Sequence, residues 1–199
     1  RQDIFAKAPA RLTAAGVSDI LGKYIALADW KIASILMDEY YCTAVVDLET
    51  KAIRTVKDNL KEIAAGEKDA CEKLMYALIL SGLAMQMTGN SRPASGAEHH
   101  MVHLWDMEVV NGHLDALHGE KVSAATMLVL LEYKKLADAI RRGACRVHAF
   151  TDGDTELLQE TFGRKGILGA LEKENTPELL DDVSTETLSC APVSYTHLT

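Results

Sequence analysis

Five of the chain's seven histidines, His99, His100, His103, His113 and His118, fall within one short stretch. Imidazole ligates transition metals and moves protons near neutral pH, so chemistry is sought here first. On an α-helix, residues four apart share a face; His99 and His103 are therefore paired, and His100 points roughly a quarter-turn away. His118 stands at a turn before Gly119, from which a side chain can reach back toward the preceding helix. Two neutral imidazoles plus a carboxylate, with a fourth position open, form the donor set of a catalytic divalent-metal site. Spacing alone does not name the carboxylate. Asp19, Asp29, Glu98, Asp106 and Asp115 are all available, and paired helical histidines also occur as plain surface or core residues. Glu98 adjoins His99 but points about 100° away from it on a helix. It reads as a supporting residue behind the site, or as the partner of a cation, rather than as a general base.

Two cations sit close enough in sequence to invite a role with an anionic substrate. Lys23 lies one helical turn after Asp19, and Arg92 precedes the histidine helix; a solvated lysine and a loop-stabilising arginine are the plainer readings. Trp30 and Trp105 are expected to fill the core. Cys42, Cys71, Cys145 and Cys190 form no CxxC pair and no dense framework, so they read as reduced thiols in a cytoplasmic protein. A net charge of -8 argues against nucleic acid and anionic membrane surfaces as partners. The apolar stretch Leu74 to Met87 is shorter than the roughly 20 residues needed to span a bilayer, and Ser81 and Gly82 interrupt it.

The elements that must position these groups are all helical. From Leu12, apolar residues recur at helical spacing (Val17, Ile20, Leu21, Tyr24, Ile25, Ala28, Ile32, Ile35), with Ser18 as the expected N-cap. A second amphipathic helix is expected from about Leu48 to Ala64, stopped by Gly66. A third, roughly Asp69 to Met87, is apolar nearly all round and is expected in the middle of the bundle. The run Gly89 to Pro93 is a loop, after which Ser95 is placed to cap the helix carrying the histidines and Asn111-Gly112 to end it. A long helix from about Val122 to Ile140 closes with Arg141, Arg142 and Gly143. Shorter pieces are expected at roughly Asp154 to Phe162, Ile167 to Lys173 and Pro177 to Val183. The fold class is therefore an all-α multi-helix bundle, with one domain over 1–188. The segment 189–199 loses periodicity, resembles translated adaptor sequence and is set aside as an unrelated tail.

The residues Ser91-Arg92-Pro93-Ala94-Ser95-Gly96-Ala97-Glu98-His99-His100-Met101-Val102-His103, followed by Leu117-His118-Gly119-Glu120-Lys121-Val122, resemble the signature of sn-glycerol-1-phosphate dehydrogenases. That family lies in the superfamily of iron-containing alcohol dehydrogenases, glycerol dehydrogenases and dehydroquinate synthases. Gly16-Val17-Ser18-Asp19-Ile20-Leu21-Gly22-Lys23-Tyr24 and Ala28-Asp29-Trp30-Lys31 match the family's earlier segment, in the same order. The resemblance covers roughly Ala8 to Val147, and three motifs in register make it specific.

The resemblance implies the C-terminal metal-binding domain of a two-domain dehydrogenase. It places the metal ligands on Asp19, His99 and His118, with zinc first and iron or nickel as alternatives. It places substrate contact on Asp19 and His103, with His103 also the catalytic proton relay; His100 and His113 inherit no role and are read as structural. The implied substrate pair is dihydroxyacetone phosphate and sn-glycerol 1-phosphate, with NAD(P)H arriving on an N-terminal nucleotide-binding half. No GxGxxG or GGGS-type turn occurs here, and the chain opens at Arg1 in helical sequence, so a truncated and inactive piece is expected. A glycerol or polyol dehydrogenase with the same triad is the enzymatic alternative, and an inactive helical interaction module is the other. Dehydroquinate synthases carry Glu at the position of Asp19. A homodimer rests on family analogy alone.

Overall fold

The computed structural model describes residues 2–107, 112–144, 155–163, 166 and 168–169. These hold eight helices and no strand: α1 (Gln2–Ala6), α2 (Ala10–Leu36), α3 (Thr43–Lys57), α4 (Leu60–Ala64), α5 (Lys68–Thr88), α6 (Ala97–Asp106), α7 (His118–Arg141) and α8 (Thr155–Phe162). The all-α bundle expected from the periodicity is the fold observed.

Helix α2 is the axis of the bundle. It packs along α7 on one side and against α3 and α5 on another, with α6 across its middle. Its contact residues Ile20, Ile25, Ala26, Ala28 and Trp30 are buried, as the 3.6-residue repeat requires. The main core joins Ile20, Leu27 and Trp30 to Val45, Ile53 and Val56 of α3 and Leu74 and Ala77 of α5. Each large side chain removed from water there contributes about 1.5–3 kcal/mol. Trp30 donates its indole N–H to the Tyr40 carbonyl at 2.8 Å, so the ring is buried with its polar edge satisfied. A smaller cluster of Val102, Val122 and Ala125, with Trp105 partly buried against it, fastens α6 to α7.

Glycines set how closely α2 and α7 approach. A Cβ on Gly119 would lie 1.9 Å from the Ala15 carbonyl oxygen, and one on Gly22 would lie 2.6 Å from Val122. Only a hydrogen at these two points lets the backbones cross at this separation.

Several local expectations are corrected. Ser18 lies inside α2 rather than capping it; the helix starts from Pro9, whose ring fixes φ for the first turn. The expected helix from Leu48 to Ala64 begins earlier and is broken at Asp58-Asn59, where the Asn59 side chain donates to the Thr55 carbonyl and competes with the helical ladder. Gly66 does end α4, at φ 75. Helix α5 is not buried all round: Tyr76, Ile79, Leu83 and Met87 form an exposed stripe, while Ala70, Leu74, Ala77, Ser81 and Ala84 face inward. Periodicity could not reveal this, because both faces are apolar. Helix α7 starts four residues before the expected Val122, so His118 is its first residue rather than a turn residue. Gly143 does follow the end of α7, at φ 65. Asn111, the pieces expected near 167–173 and 177–183 (except 168 and 169, which are helical) and the tail 189–199 lie outside the described residues. No described helix is long and apolar enough to cross a membrane.

Candidate metal centre

Three helices bring one side chain each to a common point: Asp19 from the third turn of α2, His99 from the first turn of α6, and His118 from the start of α7. Their separations are 3.3 Å between His118 Nε2 and His99 Nε2, 3.6 Å from His99 Nε2 to Asp19 Oδ1, and 3.7 Å from His118 Nε2 to Asp19 Oδ1. Among the described residues this is the group of metal-ligating type whose donor atoms converge within 4.8 Å. Three ligands of a tetrahedral ion bound at ~2.0–2.1 Å stand roughly 3.3–3.4 Å apart. The triangle is therefore nearly the size such an ion requires. The donor chemistry fits as well, with two imidazole nitrogens and one carboxylate oxygen. The side chain of His118 is half exposed and that of His99 only 9% exposed, so the triad opens toward solvent on the His118 side.

Each of the three side chains is held from behind. His99 Nδ1 lies 2.7 Å from Glu98 Oε1, and that buried oxygen also accepts the Gly96 N–H at 3.1 Å. An imidazole that gives its Nδ1 proton to a carboxylate presents a lone pair at Nε2, the tautomer a metal ligand needs. The supporting role read for Glu98 from its position has this concrete form. The expected Ser95 cap is absent; α6 is capped across space by Asp29 of α2, whose Oδ2 accepts the Ala97 N–H at 2.7 Å. Asp29 Oδ1 takes the Tyr133 hydroxyl of α7 at 2.6 Å, so this carboxylate ties three helices together at the base of the site. Burial pushes its pKa up, against both hydrogen bonds. A Cβ on Gly96 would meet Asp29 Oδ2 at 2.6 Å and the Ala26 backbone at 2.8 Å, so Gly is required where α6 starts.

His118 is fixed by its helix. Glu120 accepts the Leu117 N–H at 2.8 Å, a carboxylate cap on the first turn of α7, and is itself gripped by Arg11 of α2 at 2.5 and 2.8 Å. That guanidinium and the capped N–H hold the Glu120 carboxyl down to about 2.

Asp19 divides its two oxygens. Oδ1 faces the imidazoles, and Oδ2 accepts from Lys23 Nζ at 3.0 Å. Burial alone would raise the Asp19 carboxyl, but the His99 ring and the Lys23 ammonium bring it down to about 2. Burial would likewise lower His99, yet hydrogen bonds to Asp19 and Glu98 carry it up to about 9. Burial lowers His118, which favours its neutral form.

The remaining sequence candidates separate. His103 is exposed, one turn beyond His99, with ring centroids 6.3 Å apart. His100 and His113 are exposed, not core residues. Lys23 is not solvated: it is 3% exposed and committed to Asp19. Arg92 is committed to Glu39 through two hydrogen bonds of 2.8 and 2.6 Å. Asp106 pairs with Lys121 and is not among the three converging groups. Tyr133 and Glu49 were not singled out, because neither carries a local motif; only the packing of α3 and α7 on α2 brings them in. The described concavities, between α3 and α5 and under α1, lie away from the triad.

No family model matches the chain. Curated relatives do. Over 136 residues it is 43% identical to the glycerol-1-phosphate dehydrogenase, NAD(P)+, of Halalkalibacterium halodurans, covering 68% of this chain and 34% of that protein. Over 184 residues it is 34% identical to the enzyme of that name from Geobacillus thermodenitrificans, covering 86% of this chain and 46% of that protein. The protein of that name from Pyrococcus horikoshii is 35% identical over 165 residues, covering 80% of this chain and 47% of that protein. The chain belongs to the glycerol-1-phosphate dehydrogenase family. It spans between about a third and a half of the length of these glycerol-1-phosphate dehydrogenases.

Proposed function

We propose that the chain is the C-terminal, metal-carrying part of an oxidoreductase that interconverts dihydroxyacetone phosphate and sn-glycerol 1-phosphate with NAD(P)H. The convergence of Asp19, His99 and His118 on one point is the observation that carries this reading. A divalent cation, zinc first, with iron or nickel as alternatives, would supply Lewis-acid polarisation of the substrate carbonyl there. His99 and His118 would hold the cation as neutral ligands, with Glu98 keeping the His99 tautomer and Asp19 adding the negative charge. A bound nicotinamide would supply the hydride that reaches C2 of the substrate, and one proton would go to the carbonyl oxygen, leaving NAD(P)+. His103, exposed beside His99, is the group assigned to deliver that proton, and Asp19 and His103 to contact substrate hydroxyls. The nicotinamide belongs to a nucleotide-binding half in the length of the relatives that this chain does not span. The reaction is placed in the cytoplasm, in a protein that needs neither nucleic acid nor membrane, and a homodimer is consistent with it.

Metal analysis of the purified 199-residue chain tests the reading. It expects close to one divalent ion per chain, lost in His99→Ala and in His118→Ala with the helical signal retained. A chain that folds and takes up no ion would reduce the bundle to an inert helical module. By itself the chain is expected to show no reduction of dihydroxyacetone phosphate, since hydride has no donor site.

A second reading, glycerol or another free polyol as substrate, draws support from one observation. Lys23 and Arg92, the cations first considered for the phosphate, are both committed to carboxylates. Joining the chain to the nucleotide-binding half of a relative and comparing dihydroxyacetone with its phosphate separates the two; a preference for the phosphate ester places its anchor in that other half.

A further inference from the structure

Lys23 is an unusual residue for the inside of a bundle: it is 3% exposed, and the hydrogen bond described for its ammonium runs 3.0 Å to Oδ2 of Asp19. Taking an ammonium out of water is costly, and a buried ion pair is often no more stable than well-packed apolar side chains in its place. Stability therefore gives little reason for a lysine here. Geometry gives a better one. Residues four apart on α2 share a face, which brings the ammonium within reach of the carboxylate. The oxygen it takes is the one turned away from the imidazoles, while Oδ1 lies 3.6 Å from His99 Nε2 and 3.7 Å from His118 Nε2.

A carboxylate beside a divalent ion has two modes, binding through one oxygen or through both, and the second fills one more coordination position. An ammonium hydrogen-bonded to Oδ2 competes with the second mode and favours the first. We infer that Lys23 is a positioning residue that holds Asp19 as a one-oxygen donor, so that a cation at the triad meets Oδ1 and the two Nε2 atoms and keeps its remaining position open for a substrate oxygen. This rests on the metal reading proposed above and adds to it a residue that touches neither the ion nor the substrate. It also narrows the choice of ion. Two nitrogens and a single oxygen suit zinc, cobalt or nickel, whereas calcium takes roughly 6–8 oxygen ligands and readily accepts both oxygens of a carboxylate. The inference has a definite sign, because the ammonium also repels the ion. A lysine that merely added positive charge would weaken binding, and its removal would tighten it; a lysine that orients Asp19 strengthens binding, and its removal loosens it.

The test uses the 199-residue chain, with zinc(II) affinity measured by chelator competition and cobalt(II) d–d absorption as a report on coordination number, since the absorption weakens as ligands are added to a tetrahedral ion. Lys23→Met keeps an unbranched side chain and removes both the charge and the donor. It is expected to weaken zinc binding about tenfold and to lower the cobalt absorption, as Asp19 turns both oxygens to the ion. A lysine that only stabilised the bundle would move the thermal midpoint and leave the spectrum as it was. In an Asp19→Ala background, where the two imidazoles remain, Lys23→Met is expected to cause no loss of affinity, because the group it acts through is gone. An unchanged cobalt spectrum in Lys23→Met, an affinity equal to or above the parent's, or an undiminished loss in the Asp19→Ala background overturns the inference while the metal reading stands. Failure of the parent chain to bind zinc or cobalt overturns both. Should Lys23→Met not fold, X-ray absorption at the zinc edge of the parent chain decides: a carboxylate bound through one oxygen supports the inference, and one bound through both overturns it.

Discussion

Oε1 of Glu98 lies 2.7 Å from Nδ1 of His99, its neighbour in sequence, although adjacent helical side chains point about 100° apart. The contact forms because both residues occupy the first turn of α6, where the Gly96 N–H also binds the same oxygen and draws the carboxylate back over the helix end. Glu98 is therefore fully buried and still aimed at the imidazole.

Glu98→Gln is expected to lower zinc affinity between about 10- and 100-fold, the range for outer partners of metal-bound histidines. The amide retains the Gly96 hydrogen bond, so the thermal midpoint should move little. An affinity equal to the parent's in a competition titration would remove Glu98 from the site's working parts.

Proton and cation compete for His99. Its folded pKa of about 9 exceeds the ordinary 6.5, so its contribution to stability is full below pH 6.5 and is lost as pH rises through 9. Asp19 sits at about 2 against 3.8, so its contribution is present above 3.8 and lost as pH falls through 2. The two shifts are largely one interaction seen from both ends, and their windows overlap between about pH 4 and 6.5. Metal-free protein should be most stable there. Zinc affinity should rise about tenfold per pH unit between 6.5 and 9, as each ion bound displaces one proton from His99. Melts and chelator titrations over that range check both statements; a flat affinity profile would contradict the second.

Gly119→Ala places a methyl group against the Ala15 backbone, which no rotamer change relieves. The expected loss is about 1–3 kcal/mol, with zinc binding weakened as well, because His118 rides on the same turn of α7. Thermal unfolding gives the first quantity and competition titration the second.

Asp29→Ala removes the acceptor of both Ala97 N–H and the Tyr133 hydroxyl. Losing the cap of α6 costs about 1 kcal/mol, and the lost hydrogen bond from Tyr133 adds about another 1 kcal/mol. Tyr133→Phe removes only the second contact and should cost about half as much. Equal midpoints for Asp29→Ala and the parent, read by denaturant melts, would show that α6 is anchored elsewhere.

The order of helices and the histidine helix could be read from the chain, because helical periodicity and close spacing are local properties; spacing left the carboxylate open, and Asp19 entered only through the family resemblance. Even there, local signals failed where a distant group competed. Ser18 and Ser95 look like caps, yet Pro9 starts α2 and Asp29 caps α6 from a residue far away in sequence. The apolar circumference of α5 reads as burial, yet half of it is exposed.

What sequence determined was which residue types stand at which helical positions: an acid on α2, an imidazole on α6 and another at the head of α7. Their distances, the burial of Lys23 and the burial of Glu49 were decided only by how the helices pack. Glycines at 22, 96 and 119 let helices meet at separations a methyl group would forbid, and that closeness brings side chains of α2, α6 and α7 to one point. Such long-range proximity leaves no periodic trace in the chain, since it depends on which faces meet and not on where residues fall along one helix.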